Sequence, residues 1–454
     1  MQSGIWSLKP SVVVSRIFAQ PMSVLFAVTY LMFEYVRPQA LYPVIDILPW
    51  GISMLMLGIV ACVLEGRISF TSWQPWVLLG LFTAIILISS INGQYPKTSF
   101  FFMDIWWSWI FAIFLLSSAL DTKEKLLLGI GAFMLYNLKM SQHAFFSWAS
   151  AGFAFVRVGA SGSPGWFRNS GEFGIAMCVF FPIATYFLLG LWPNLSRNAR
   201  LVMATVALTA VVGMLASSSR GAQLGGAVLA LWFVLRSPYR MRMLVVMGFL
   251  AGLVWLAMPP ESKARWAAAG TDPDSIRRLT YWTDGIKIAN DFPVFGIGYK
   301  SWIQYYRARY NPDGEVQHNI FIECVSELGY VGLFMFLILI GYVLRENARV
   351  RKLTGPKGVA PDRFLYHMAF GLDGALIGYL ASGFFVTVLF YPFFWINMAF
   401  VMALSRVANA QAHRARVPSS RAAGRVRGRP LQRVMGPGRA AASGPPTPGV
   451  AASL

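Results

Sequence analysis

Charge is what this chain of 454 residues has least of. Only 13% of its residues are Asp, Glu, Lys or Arg, while 56% are hydrophobic, and apolar runs of about 20 residues recur from end to end. A string of soluble domains, which the length alone would suggest, is excluded by that composition. The chain reads as one polytopic membrane bundle with one sizeable extramembrane loop. Cysteine is nearly absent. Cys62, Cys178 and Cys324 all fall inside apolar runs, which excludes a disulfide framework or a cysteine metal cluster. There is no Gly-rich nucleotide loop followed by Lys and Ser/Thr, no HExxH pair and no GxSxG nucleophile turn, so direct use of ATP and the familiar hydrolase chemistries are excluded. An internal repeat is missing too, and with it the two-fold sequence symmetry of many secondary transporters.

What is present is apolar helix. The runs predict an all-α fold of about twelve transmembrane helices: Phe18 to Val36, Val44 to Leu64, Trp76 to Ile91, Phe100 to Leu120, Leu126 to Trp148, Phe173 to Leu191, Leu201 to Ala216, Gly221 to Leu235, Met243 to Met258, Ile320 to Leu344, Phe364 to Leu389 and Phe393 to Val407. The first reads as an uncleaved anchor, being followed by many others and ending in Glu34 and Arg37. Residues 1–407 then form the membrane domain, including a large loop over 259–317. Residues 408–454 form a tail rich in Arg, Gly, Ala, Pro and Ser with no acidic residue, expected to be disordered and to meet anionic lipid headgroups, with no specific nucleic acid as partner. With the amino terminus inside, the short segments on the inner side carry the excess of Lys and Arg, most of it in Arg345-Glu-Asn-Ala-Arg349-Val-Arg351-Lys352 with Lys357 and Arg363.

That topology gathers the distinctive segments on the outer face. They are the loop from Ala149 to Glu172, the turn Ser217-Ser218-Ser219-Arg220-Gly221, and the stretch from Pro259 to Gln317. In the last, Ile276 to Asn290 predicts an amphipathic helix resting on the bilayer, and Tyr305, Tyr306 and Tyr310, alternating with Arg307 and Arg309, read as an interfacial anchor. Acidic residues of this face (Glu172, Asp272, Asp274, Asp284, Asp291, Asp313, Glu315) are scattered without the paired spacing a divalent metal needs, so neither metal nor cofactor is expected.

Four basic residues carry the chemistry. Arg220 opens a helix, where amide N–H groups and a guanidinium can meet one anion; the alternative is a side chain snorkelling to headgroups. Arg277 and Arg278 stand about one helical turn before Trp282, as a second clamp or as contacts to anionic lipid. His318, one of four histidines, stands where the polar loop enters an apolar helix, and a neutral imidazole there can take a proton near neutral pH. The bland alternative is a helix-terminal residue with Asn319 as the cap. Glu323 and Glu327 lie deeper in the same helix, where carboxylates are paired or functional.

Taken together, the Ser219-Arg220-Gly221 turn, Arg278-Leu-Thr-Tyr-Trp282, the D-x-P-x-x-G-x-G segment from Asp291 to Gly298, and H-N-x(9)-G-x-x-G formed by His318, Asn319, Gly329 and Gly332 resemble the O-antigen ligase and polymerase family of bacterial envelope glycosyltransferases. The likeness is best from Ser217 through Gly332. Phe33-Glu34-Tyr35-Val36-Arg37-Pro38-Gln39 and Phe167-Arg168-Asn169-Ser170-Gly171-Glu172-Phe173 are also similar to ligase-like members. The resemblance implies about twelve helices, a large periplasmic loop, and metal-independent transfer of glycan from an undecaprenyl-diphosphate donor to an acceptor hydroxyl at the periplasmic face of the inner membrane. It gives Arg220 and Arg278 the diphosphate, with Arg277 as the rival one residue away, and His318 activation of the acceptor. Asn319, Glu323, Glu327, Arg168 and Glu172 are candidate supports. A glycan, a lipid or a protein can be the acceptor. A polymerase joining lipid-linked repeat units is the nearer alternative, a non-enzymatic exporter of lipid-linked glycan the more distant one.

Overall fold

The computed structural model describes residues 9–68, 72–154 and 159–416. All regular structure among them is helical. Every one of the twelve apolar runs contains helix, and among the described residues eight helices are both long and apolar enough to cross a membrane, or nine if a pair bent by 115° around residues 19–21 counts as one span. That bears out the all-helical, many-span architecture and does not reach the expected count of about twelve. Trp50–Leu64 has 15 residues and Arg220–Arg236 has 17, short of the roughly 20 that a bilayer core asks for. Lys123–Ser150 is long enough but carries Asn137, Lys139, Ser141 and His143 through its middle.

Two ends move with consequences. The expected span Phe364 to Leu389 stops at Gly383, and residues 384–391 continue without helix up to Pro392. The last helix, Pro392–Arg416, runs beyond Val407 into the expected tail, whose residues 417–454 lie outside the described ones.

Ser170–Leu191 is the axis of the bundle, packed along its length by Arg363–Gly383 and Arg197–Ala216. The approach is close because Gly378 faces the carbonyl of Cys178 where any β-carbon would stand 2.8 Å from that oxygen. The Arg240–Ala257 helix is the opposite case, with no buried residue; an apolar helix exposed on all sides is suited to hydrocarbon rather than water.

One end of the bundle collects the polar segments. Ala160 N–H donates to Ala216 O at 2.9 Å, Gln94 N–H to Ile297 O at 2.8 Å, and His318 N–H to Thr387 Oγ1 at 2.7 Å, so loops distant in sequence close on one another. The stretch 259–317 is itself structured by the helices Pro260–Ala267, Pro273–Asp291 and Trp302–Arg309. Tyr281, Ile288, Ile297, Trp302, Tyr305 and Tyr306 form a small core between them. Tyr306 donates to Asp284 at 2.8 Å, and Trp302 to the Glu315 carbonyl at 2.9 Å. Tyr305 and Tyr306 are therefore packing residues and not the interfacial anchor expected of them; only Tyr310 is exposed.

Candidate functional site

The site is assembled at that end from the serine-arginine turn, the Pro273–Asp291 helix, the residues leading into Ile320–Thr354, and the connection 384–391. Ser219 caps the Arg220–Arg236 helix, accepting from Ala222 N–H at 3.4 Å, so Arg220 starts on the first turn with its guanidinium projecting from the helix end. Ser217 Oγ is spent on the Met214 carbonyl at 2.7 Å. Ser218, in the left-handed region at φ 51°, keeps a buried hydroxyl with no partner among the described residues.

Arg220 is held by Asp272 through a two-point ion pair of 2.9 and 3.1 Å. Asp272 is also the N-cap of Pro273–Asp291, accepting from Ser275 N–H at 3.2 Å and Ser275 Oγ at 2.6 Å. Its carboxyl is held well below the usual carboxylate range by the Arg220 hydrogen bonds first and those of Ser275 next. The pair ties the arginine turn to the helix that bears the other two arginines.

Those two neighbours differ. Arg277 is engaged, with Asp274 at 2.5 Å and Glu315 at 3.4 Å. Arg278 makes no hydrogen bond or ion pair among the described residues; burial, then the like charge of Arg220, lowers its proton affinity. A guanidinium that is half-buried, uncommitted and beside another cation is a place where an anion relieves an electrostatic cost.

His318 sits next to it. The backbone is left-handed at φ 52°, the ring stacks on Tyr281 with centroids 6.3 Å apart, and Nε2 lies 3.4 Å from Glu315 Oε2. Burial and then Arg278 push its pKa down, against the opposing pull of Glu315. Asn319 holds the helix cap, as the bland alternative expects, its Oδ1 accepting from Phe321 N–H at 2.8 Å and Ile322 N–H at 3.2 Å.

Glu323 and Glu327 are buried and satisfied from outside their own helix. Lys300 Nζ pairs with Glu323 at 3.0 Å, whose other oxygen accepts from Leu389 N–H at 2.9 Å. Glu327 accepts from Lys300 N–H at 2.8 Å and from Gln317 Nε2 at 3.4 Å. The two carboxylates thus fasten residues 298–300, Gln317 and the 384–391 connection around the start of the helix. Glu172 likewise ties two segments, taking Tyr391 Oη at 2.8 Å and Asn169 N–H at 3.3 Å. Arg168 is exposed, and its side chain makes no hydrogen bond or ion pair among the described residues.

Five partners were not singled out from the sequence: Asp272, Lys300, Glu315, Thr387 and Tyr391. Asp272-Pro273 was readable as a helix start, since a capping carboxylate before a proline is a common N-terminus. Thr387 was hidden in what looked like a span, although Val386-Thr387-Val388 is a β-branched run that disfavours helix. Among the described residues no group of three or more His, Cys, Asp or Glu is arranged to hold a metal ion.

Residues 204–337 match the O-antigen ligase family model. The chain is also 25% identical over 197 residues to the exopolysaccharide production protein ExoQ of Rhizobium meliloti (strain 1021), an alignment covering 38% of this chain and 43% of that protein. The matched stretch contains the serine-arginine turn, Arg277, Arg278, His318 and both glycine-bearing motifs, so the resemblance read from the sequence is borne out over the part of the chain that carries these residues. These likenesses fit a multi-pass membrane protein of polysaccharide biosynthesis, of ligase-like or polymerase-like kind.

Proposed function

We propose that this protein transfers a glycan from an undecaprenyl-diphosphate donor to an acceptor hydroxyl, as O-antigen ligases do, at the periplasmic face of the bacterial inner membrane. The observation that carries the reading is the uncommitted Arg278 guanidinium next to a histidine whose pKa is pushed down. A base of that kind is neutral, and so available, at neutral pH.

In this reading the acceptor oxygen attacks the anomeric carbon of the donor sugar, the bond from that carbon to the diphosphate oxygen breaks, and the hydroxyl proton goes to His318. Glu315 Oε2 beside Nε2 favours the tautomer protonated there, in which the lone pair of Nδ1 is left to receive it. Arg278 compensates the charge that develops on the leaving diphosphate, and the arginine turn with Arg220 and the first amides of its helix supplies the rest. Arg220 shares its charge with Asp272 in the absence of donor, so donor binding exchanges or shares that partner. Arg277 acts one step away, through Glu315, on the orientation of His318. With guanidinium groups serving the leaving group, the transfer is read as metal-independent.

The second reading is a polymerase whose acceptor is another lipid-linked repeat unit, favoured by the exopolysaccharide relative. Purified protein incubated with labelled undecaprenyl-diphosphate glycan and candidate lipid, protein or lipid-linked acceptors, followed by mass spectrometry, tests both. Transfer to a non-identical acceptor supports a ligase, lengthening of lipid-linked chains supports a polymerase, and no product in any arm overturns the transferase reading.

A further inference from the structure

A polar cavity opens at the same end of the bundle, outside residues 204–337 and separate from Arg220, Arg277 and Arg278. It encloses about 280 Å³ between the ends of Met22–Tyr35, Trp50–Leu64 and Met103–Ala119 and the turn carrying Trp166. Its walls combine three indoles, Trp50, Trp109 and Trp166, with the charged and amide groups of Glu34, Arg37, Gln39, Asp46 and Asp104.

Three polar atoms of residues in these walls are buried without a hydrogen-bond partner among the described residues: Tyr30 Oη, Arg37 Nε and Gln39 Oε1. Orphaned groups of this kind cost free energy unless something meets them, and all three belong to residues that line this one cavity from different segments, although the atoms themselves are enclosed. Together they offer a donor, an acceptor and a hydroxyl that can be either. Arg37 is itself held in the left-handed region at φ 52°, with its guanidinium 6.0 Å from the Trp166 ring centroid. Gly165 leaves room for it, since any β-carbon there would stand 2.0 Å from Arg37 Nη1. Glu34 accepts the Trp166 indole N–H, which fixes that ring as a wall.

The charge decides what fits. Three carboxylates against one guanidinium repel a phosphate, so this is not a second diphosphate site. Aromatic faces with carboxylate and amide groups suit a neutral, hydroxyl-rich ring, whose C–H face packs on indole while its hydroxyls bridge donors and acceptors at the rim. The volume lies just under the roughly 300–1,000 Å³ of pockets that bury drug-sized ligands, enough for one sugar ring and not for a folded oligosaccharide.

The cavity is also wired to the transfer site. The 384–391 connection meets the histidine through Thr387. It then reaches the cavity walls through the Phe390 carbonyl, which accepts the Trp109 indole N–H at 2.9 Å, and through Tyr391, whose ring centroid lies 4.7 Å from that of Trp166. One short segment therefore separates the arginine and histidine side from the indole side.

We propose that this cavity is a sugar subsite that seats one pyranose residue of the glycan substrate, an inference that rests on the glycosyltransferase reading for the identity of that glycan. The test uses full-length purified protein in detergent and the free, lipid-less glycan released from the donor and, separately, from the acceptor, with binding followed by saturation-transfer NMR and titration calorimetry. Gln39→Leu removes the orphaned acceptor at similar volume, and Asp46→Asn alters an exposed rim carboxylate whose loss the fold tolerates. Both are expected to weaken binding of one free glycan at least tenfold, whereas Arg278→Lys leaves it unchanged. The glycan that responds names the source, donor or acceptor. Unchanged affinity in both variants, or no binding of either glycan to the wild type, overturns the subsite. Glycan binding that depends on Gln39 without any transfer activity keeps the subsite and removes the transferase; transfer that is indifferent to Gln39 and Asp46 does the reverse.

Discussion

Gly329 lies against the carbonyl of Val294 so closely that a β-carbon on it would stand 2.3 Å from that oxygen. Its φ of 70° and ψ of −177° break the Ile320–Thr354 helix in a conformation essentially reserved for glycine. The break frees carbonyls, and the 293–298 loop satisfies them. Ile297 N–H donates to Ser326 O at 3.0 Å and Gly298 N–H to Glu327 O at 3.1 Å, while Tyr330 N–H returns a bond to Pro293 O at 2.8 Å. Gly296 completes the contact, since a β-carbon there would stand 2.4 Å from the Glu327 carbonyl carbon. The two glycine-bearing motifs are two sides of one junction, and their task is to seat the loop that carries Lys300 against Glu323 and Glu327. Gly329→Ala should therefore cost about 3 kcal/mol or more and lower the thermal midpoint in detergent, with activity lost through misplacement of the loop. A variant with wild-type melting behaviour would contradict the junction.

Much of this was legible in the sequence, and what was not has a common cause. The twelve apolar runs are visible because hydrophobicity is a local signal, and the cap at Asn319 follows from a short side chain before an apolar helix. Pairings across hundreds of residues leave no such trace. Asp272 and Glu315 looked like scattered acids, yet the first holds Arg220 and the second stands between Arg277 and His318. Residues 384–389 read as helix in the sequence because Phe, Val and Leu suit a membrane span whether or not their backbone is helical. The resemblance gives the diphosphate to Arg278 with Arg277 as its rival, and the acids that Arg277 reaches, Asp274 and Glu315, leave Arg278 the better placed of the two in the proposed reading.

That choice yields a prediction. Arg278 has no hydrogen bond or ion pair to lose among the described residues, so Arg278→Lys, which keeps the charge and discards the planar fork, should reduce transfer by about 10²–10³-fold with the protein still folded. Arg277→Lys can still meet Asp274 and should cost much less. Steady-state transfer rates of the two variants decide it, and a larger loss at Arg277 would reverse the assignment.

The pair between Arg220 and Asp272 predicts a different pattern. Asp272→Asn removes the carboxylate that competes with donor but also weakens the tie between the arginine turn and Pro273–Asp291. Donor affinity should rise or hold while kcat falls, because the second arginine is no longer positioned. Tight-binding assays with a non-transferable diphosphate analogue, run beside turnover measurements, separate these effects. A parallel fall in both would make Asp272 part of the donor site itself.

Sidedness can be checked by labelling. In a cysteine-free variant, Asp313→Cys lies on the exposed part of the loop that carries the site and Lys357→Cys lies at the opposite end of the bundle, also exposed. Thr354 is buried, and a cysteine there would stay silent from either side. An impermeant maleimide added from the periplasmic side should label position 313 and spare position 357. The opposite pattern would put the arginines in the cytoplasm, where a lipid-linked glycan already delivered to the periplasm cannot reach them.

The pH profile distinguishes a base from a scaffold at His318. Its pKa lies below the ordinary value of about 6.5, pushed down by burial first and Arg278 next, so the neutral form prevails at pH 7 and activity should fall only as the pH drops through that lowered value. Glu315 pulls the other way, favouring the imidazolium. Glu315→Gln should therefore move the acid limb of kcat to still lower pH while reducing the plateau, because the imidazolium formed in the transition state is less well supported. His318→Gln keeps a hydrogen-bonding side chain but cannot take a proton, and should lower kcat by about 10²–10⁴-fold with donor affinity near normal. A purely structural histidine predicts neither result: its acid limb would stay in place in Glu315→Gln, and the glutamine variant would keep the wild-type rate. In that event the base must be sought among carboxylates, and Glu172 and Glu323 are already committed to Tyr391, Lys300 and the Leu389 amide.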